Sequence, residues 1–549
     1  MKRTLTYLLA CLCVFGAKAW ERKGVTFSGS IQSDMLVPRR DSGTGAEKTG
    51  SFLTNTYADL LIQSQYIDAG ARLEFLSYPL PGFEKDFEGW GVPHFWMKGN
   101  IGKAELTVGT FYEQFGSGFI LRTYEERALG IDNALLGGRV VVKPVKGVTL
   151  KALSGVQRRY WEWNEALISG ADAEIGFDEF FPALQKNGTD ITLGGSWVNK
   201  YEKSDEKVYL SPTYRLRLPK FVNAWDVRAS FGRGPWNVMG EYAQKSDDPS
   251  FANGYIYRKG SAAMLSGSYS GKGLSVLLQA KRSENMSFKS TSDVSKAIGI
   301  SSAINHLPAF TQDQTYALAA IYPYATQLAD GEWAYQAEVG YNFKRKTPLG
   351  GRYGMNVKAN LSYVRAIDRQ FYDGDDLVQQ TNGYTSKFFK WGDDTYYRSI
   401  DITLSRKLSK AFKLNLMYVN QRYNQSVVEG HGGIVHTNIF IADGKYQFSP
   451  KVTLRGELQY LRTKEDQGDW AYGLLELSLV PHWMITVSDM WNCGETKLHY
   501  YQGLVTYNVG QHRIQAGYGR TRAGLNCSGG VCRMVPAYTG WTLSYNFNF

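Results

Sequence analysis

From Trp541 to Phe549 the chain alternates without a break. Trp541, Leu543, Tyr545, Phe547 and Phe549 occupy one parity, and Thr542, Ser544, Asn546 and Asn548 the other. Successive side chains of a β-strand point to opposite faces, so this segment is a strand with one apolar and one polar face. The period of two recurs upstream. Val452, Leu454, Gly456, Leu458 and Tyr460 alternate with Thr453, Arg455, Glu457 and Gln459, and Trp333 to Phe343, Tyr353 to Tyr363, Phe412 to Tyr418 and Trp225 to Phe231 follow the same rule. The polar parity carries full charges, among them Asp226, Arg228, Glu241, Glu338, Lys358, Arg455 and Glu457. Lipid rejects charge at depth, whereas a wet lumen accepts it.

Other features narrow the choice. The chain opens Met1-Lys2-Arg3, runs apolar from Leu5 to Phe15 and continues Ala17-Lys18-Ala19. A basic start, an apolar stretch and an A-x-A site define a secretory signal, with cleavage expected after Ala19. Residues 20–549 then form one unit, since no linker or composition shift divides them. Beyond the signal no apolar run reaches 18 residues. Helical spans are thereby excluded, and a membrane form of this chain has to be a closed barrel, which alone satisfies every strand hydrogen bond in hydrocarbon. The expected class is therefore all-β: a transmembrane antiparallel up-and-down β-barrel in the outer membrane. No separate plug precedes the first strand, because Gly24 to Leu36 already reads as one.

Connections support this reading. Tight turns fall at Ile101-Gly102-Lys103, 144–147, 232–234, 270–273, Ser449-Pro450-Lys451 and 509–511. Long polar segments lie between them, near 37–50, 78–91, 114–135, 159–170, 203–220, 247–257, 285–332, 366–394, 424–431 and 523–537. Short periplasmic turns and long extracellular loops alternate in bacterial barrels. Counting in this way gives about 24 strands, within a range of roughly 18 to 26. Gly540, Leu543, Tyr545, Phe547 and Phe549 resemble the terminal-strand signal read by the barrel-assembly machinery, an expected partner together with outer-membrane lipid and lipopolysaccharide.

Composition adds detail. Aromatic residues make up 14%, with 36 Tyr and 14 Trp, and these amphipathic rings suit membrane–water boundaries. Loss of Lys2, Arg3 and Lys18 with the signal takes the net charge from +11 to +8. A basic balance favours anionic solutes or lipopolysaccharide phosphates, although scattered solvated charge explains it equally simply. Cys493, Cys527 and Cys532 remain after the signal. Cys527 and Cys532 flank Ser528-Gly529-Gly530-Val531 and can close a small loop in an oxidising compartment. None of the seven histidines sits in HExxH, and no metal site or cofactor is expected; His431 and His436 merely flank a glycine-rich strand start. No nucleophile motif or clustered basic patch argues for an enzyme or for nucleic-acid binding.

A wide barrel needs a filler, and inward-folded loops are the natural one. The stretch from Tyr112 through Gly116-Ser117-Gly118 to Leu121-Arg122-Thr123-Tyr124-Glu125-Glu126-Arg127 and Gly130-Ile131-Asp132-Asn133-Ala134 is rich in glycine and in both charge signs. A mixed-charge constriction selects what passes, so Arg122, Glu125, Glu126, Arg127 and Asp132 are the candidate constriction residues. The alternative is an ordinary solvated loop. Asp226, Arg228, Glu338, Lys358, Arg455 and Glu457 are lumen-lining candidates, with cross-strand pairing as the simpler role. Within 301–332, Leu307-Pro308-Ala309-Phe310 and Tyr322-Pro323-Tyr324 suggest an ordered loop that packs on itself or folds inward.

Tyr112 to Ala134 and Leu307 to Gln327 resemble stretches of an uncharacterised family of large outer-membrane β-barrel proteins from Bacteroidota, with a local strand–loop–strand idiom similar to specific porins and alginate-export barrels. The resemblance implies fold and location, and no activity. Two roles stand against each other. One is porin-like passage of a small hydrophilic solute, anionic or glycan in character, restricted by inward loops. The other is a loop-occluded, non-conducting barrel serving secretion, assembly or surface-lipoprotein complexes, suggested by the long loops 285–332 and 366–394. A barrel enzyme acting on lipid or surface glycan is a third, with no motif behind it.

Overall fold

The computed structural model describes residues 20–22, 24–203, 208–292, 302–372 and 380–549. The expected signal segment, 1–19, lies outside the described residues. Strands account for 62% of the chain, and there is almost no helix. The main sheet holds 25 strands. The three-residue strand Trp20–Arg22 only extends the pairing on Val25–Arg39, and the other 24 close into an antiparallel barrel. Closure is direct: the last strand, Tyr538–Asn548, pairs with Val25–Arg39 from Ser30↔Asn548 to Arg39↔Thr539. Each of these 24 strands therefore has two neighbours, and among the described residues the barrel has no open edge.

Parity separates the two faces of the wall. Leu265, Leu278, Leu458, Leu475, Phe440 and Trp541 are each more than half exposed, and all stand on the apolar parity. The opposite parity holds Asp226, Glu241, Lys281, Asp401, Gln421 and Glu457, all buried. A closed sheet that shows its apolar side chains to the outside and hides its charges inside is a transmembrane barrel of the outer-membrane type. Aromatic pairs such as Trp483 with Tyr507, at 4.5 Å between ring centres, and Trp236 with Tyr269, at 4.8 Å, lie near the short-turn end, where such rings suit the interface.

Two corrections concern the connections. The long loop expected at 159–170 is instead the two-residue link Tyr160–Trp161 between strands Val148–Arg159 and Glu162–Gly176. Glu162 and Glu165 made the stretch look like a loop, but both are exposed on a strand pair that rises past the apolar belt, where charge costs little. On the short-turn end, residues 177–188 form a longer connection with a single helical turn at Phe177–Glu179 and a short helix at Pro182–Lys186. Residues 344–354 form a second longer connection at that end, and the other long segments expected from the sequence emerge at the opposite one.

Candidate functional site

Two of those loops turn inward. The first spans 112–134. The strands that flank it, Ala104–Phe111 and Leu135–Val142, have only eight residues each. The wall is low there, and the chain crosses into the lumen. Phe115, Phe119, Ile120 and Leu121 are fully buried against inward Leu153, Ile168, Val198 and Ala243. Burial of each such side chain contributes about 2 kcal/mol. Phe115 seats on Gly170, where a Cβ would meet the ring at 2.8 Å, and Gly116 adopts φ +51° with Glu241 oxygen 2.7 Å from its would-be Cβ. Gly170 is thus favoured by the close approach of the ring, and Gly116 by its left-handed backbone.

The second inward segment lies within 302–331. Leu318, Ile321, Tyr322 and Tyr324 pack on Val364, Tyr397, Val419, Tyr423, Ile439 and Leu461 from the inner wall. Polar contacts fix its register: the Leu318 amide donates to Gln459 (2.8 Å), Gln314 to Asp401 (3.0 Å) and the Tyr322 hydroxyl to Asp466 (2.8 Å). Lys281 pairs with Glu332 at 2.9 Å, both fully buried, and its ammonium also donates to the Pro308 carbonyl. The two segments touch each other, with the Arg122 amide donating to the Ile304 carbonyl and the His306 amide to that of Gly118. Together they fill much of the lumen at the long-loop end.

A charged knot anchors the first segment. A register shift between Val156 and Arg158 turns Arg158 inward beside Gln157, as bulges do. Arg158 reaches Glu74 at 2.7 Å and Asp132 at 2.5 Å, while Arg72 reaches Asp59, Glu125 and Asp132, each at 2.9 Å. Arg127 continues the network to Asp59 (2.9 Å) and Glu125 (2.5 Å) and lies over the Tyr57 ring. Burial works against ionising Asp132, yet Arg158 and Arg72 outweigh it and hold the carboxyl below its ordinary pKa.

The expected constriction residues therefore separate. Glu125, Arg127 and Asp132 belong to this neutralised knot. The Glu126 carboxylate accepts from the Ala128 amide, and Arg122 stacks on Tyr124 at 4.6 Å. The five do not form a ring, and only Arg127 reaches the remaining lumen cavity. Among the lining candidates, Arg228 joins Asp226 at 2.9 Å and also Asp172, Lys358 joins Glu338 at 2.6 Å, and Arg455 joins Asp443 at 3.0 Å and also Glu457. All six are ion-paired in the wall, Asp226 and Glu457 with the arginine two residues along their own strand and the others across strands. Lys358, with over a third of its side chain exposed, also faces open space towards the short-turn end.

What the two segments leave is a cavity of about 770 Å³. Its wall comes from the last strands, Trp470–Leu479 to Tyr538–Asn548, and the first two, Val25–Arg39 and Leu53–Gln63. Gln32, Asp34, Asn55, Gln502, Gln515 and Ser544 give it polar groups, Met35, Leu36, Met490 and Leu504 an apolar share, and Tyr57, Tyr472 and Tyr500 supply ring faces. Above it stands the hairpin of Gly524–Ser528 and Val531–Val535, joined by the Cys527–Cys532 disulfide. This hairpin touches both inward segments, through Arg533 to the Ala128 carbonyl (3.0 Å) and through the Thr326 amide to Gly530 (2.9 Å). Cys493 is free. Among the described residues no cluster of His, Cys, Asp and Glu is arranged to hold a metal ion.

One pH response follows from this packing. Burial, then Arg122 and Lys281, push the His306 pKa down to about 3. Between its ordinary value, near 6.5, and about 3, an undocked segment would bind a proton that the docked one refuses. Docking is therefore unaffected above pH 6.5 and weakens as pH falls, by about 3 kcal/mol at pH 4. The protection factors of 302–331, which divide out the slowing of intrinsic amide exchange in acid, should fall between pH 6.5 and 4, and less so in His306→Asn. An identical acid response in both proteins would refute this assignment.

With the geometry in hand, the chain can be placed by comparison. Its fold and lumen are those of a large outer-membrane-type barrel. A family model described as a family of unknown function (DUF6029) matches residues 1–549, and the chain belongs to that family. No curated protein matches it. Among solved structures it is similar to the P pilus usher (PapC) translocation pore, with 11% identity over 95% of this chain and 99% of that one, at a TM-score of 0.41. It is also similar to the siderophore receptor PirA from Pseudomonas aeruginosa, with 8% identity over 97% and 81% and a TM-score of 0.40. A BenF-like porin from Pseudomonas fluorescens Pf-5 matches at 9% identity over 96% and 98%, with a TM-score of 0.34. At these identities the likeness concerns the barrel alone.

Proposed function

We propose that this barrel passes a small hydrophilic solute through the residual lumen cavity, with the two inward segments restricting what fits. The observation that carries the reading is the cavity itself: about 770 Å³, bounded by inner wall on one side and by loop tips on the other, with polar side chains interspersed among apolar ones. That volume lies within the range of roughly 300–1,000 Å³ that accommodates small-molecule ligands. Export under the Met1–Ala19 signal, insertion through the terminal strand ending in Phe549 and contact with lipopolysaccharide belong to the same proposal. No enzymatic step is part of it.

Uptake by proteoliposomes tests the reading. Neutral solutes of graded size should enter up to a few hundred daltons, roughly what such a cavity holds, and larger ones should be excluded. Absence of uptake by correctly folded protein would overturn passage. The extent of lumen filling supports a second reading, a barrel closed at rest that works with a protein partner in secretion, assembly or surface-lipoprotein complexes. Native-membrane purification yielding a stoichiometric partner, together with absent uptake, would favour it.

A further inference from the structure

We infer that the cavity is a binding site for an oxyanion-bearing solute, a carboxylate or phosphate compound, held by Arg522 and Arg533. Most guanidinium groups in this lumen are neutralised. Arg72 and Arg158 are locked in the knot, Arg228 and Arg455 in the wall, and Arg127 and Arg520 are paired with acids, the latter with Asp41 at 2.6 Å. Arg522 and Arg533 also line the cavity, yet neither has an acidic partner within 4.0 Å among the described residues. Arg522 donates only to main-chain carbonyls, those of Ala523 (3.0 Å) and Ile321 (3.4 Å). Arg533 donates to Ala128, stacks on Phe83 at 4.1 Å, and leaves Nε and Nη1 buried without a hydrogen-bond partner.

Unsatisfied guanidinium donors at the edge of a cavity are costly unless a ligand completes them. Arg cannot relieve that cost by losing its proton at neutral pH, and its planar fork matches carboxylate and phosphate oxygens. Burial also lowers both pKa values from the ordinary one; for Arg522 it outweighs the more distant pull of Tyr322, Tyr500, Glu429 and Asp466, none of them an acid in contact. Asp34 is the acid on the cavity wall, and its oxygens already accept from Ser544 (2.6 Å) and Gln32 (3.1 Å). The site lies inside the wall and beneath a hairpin, so its ligand arrives from the aqueous lumen rather than from a lipid headgroup. The tyrosines alongside give an organic anion a second surface to lie on.

The inference rests on the passage reading for its purpose, but its test needs no current. The folded full-length barrel in zwitterionic detergent is titrated by calorimetry with inorganic phosphate, with glucuronate and with glucose. Saturable binding of phosphate or glucuronate, and none of glucose, is expected; whichever anion binds tighter identifies the headgroup. Arg522→Gln and Arg533→Gln should each weaken binding about tenfold, the worth of one charged hydrogen bond. Arg533→Lys should recover part of the loss, and Arg345→Gln, exposed at the short-turn end, should change nothing. Fold is checked by heat-modifiable mobility, and Arg533→Lys serves if either Gln variant fails to fold. Failure of both anions to bind, or binding indifferent to these substitutions, overturns the proposal, since arginines that merely tether loops would leave affinity unmoved. Uptake without anion binding removes this site alone; anion binding without uptake removes passage alone.

Discussion

Excision of residues 309–326, bridged by a short Gly/Ser linker, raises single-channel conductance by about tenfold. A barrel of this strand number encloses a wide lumen when nothing fills it. Here the second inward segment occupies the sector beneath strands Glu332–Phe343 to Trp470–Leu479, packed through Leu318, Ile321, Tyr322 and Tyr324. The wall does not depend on it, because every strand keeps both hydrogen-bonded neighbours after the excision. The Lys281–Glu332 pair is retained, so no buried charge is orphaned. An unchanged conductance in a correctly folded variant would mean that this segment does not limit the passage.

The second large effect is on stability. Arg158→Ala should cost about 4 kcal/mol, the usual penalty for stranding a buried charge. Glu74 is nearly as inaccessible as Arg158, and Asp132 is little more exposed. Loss of the guanidinium leaves two carboxylates facing one another with only Arg72 to neutralise them. Arg158→Lys should recover less than half, since an ammonium cannot make the paired contacts to both Glu74 oxygens. Arg158→Met combined with Glu74→Leu should be milder than either single change, because it removes both charges. Urea unfolding in detergent measures this order, and a loss under 1 kcal/mol for Arg158→Ala would contradict the role assigned to the knot.

Strands and their parity were legible in the sequence because a bilayer demands it. Leu458 and Leu475 had to be apolar, Arg455 and Glu457 had to face away from lipid, and one residue of slip would exchange the faces. Loop sorting was legible for the same reason, and it failed where strands continue beyond the apolar belt. Glu162 and Glu165 stand in water on a strand, and there polarity no longer distinguishes strand from loop. The inward course of 112–134 was anticipated from its glycines and charges, but the role of those charges was not. Asp132 finds Arg72 sixty residues away, and Arg158 finds Glu74 eighty-four residues away, as neighbours across the lumen. Alternation assigns a residue to a face without saying who shares it. Arg522 and Arg533 were missed because their segment read only as a polar loop with a cysteine pair. What singles them out is the absence, among the described residues, of an acid in direct contact, a property of three dimensions.

The central claim is that two inward segments close most of the lumen and leave one passage along the last and first strands. Cysteine accessibility during single-channel recording tests it most directly, in a Cys493→Ser background. A charged thiol reagent should silence the current at Gln502→Cys and Gln515→Cys, which line the cavity, and leave it unchanged at Gln421→Cys, buried beneath the second segment. Block at Gln421→Cys with none at Gln502→Cys and Gln515→Cys, or a folded barrel that carries no current in any background, would contradict the account.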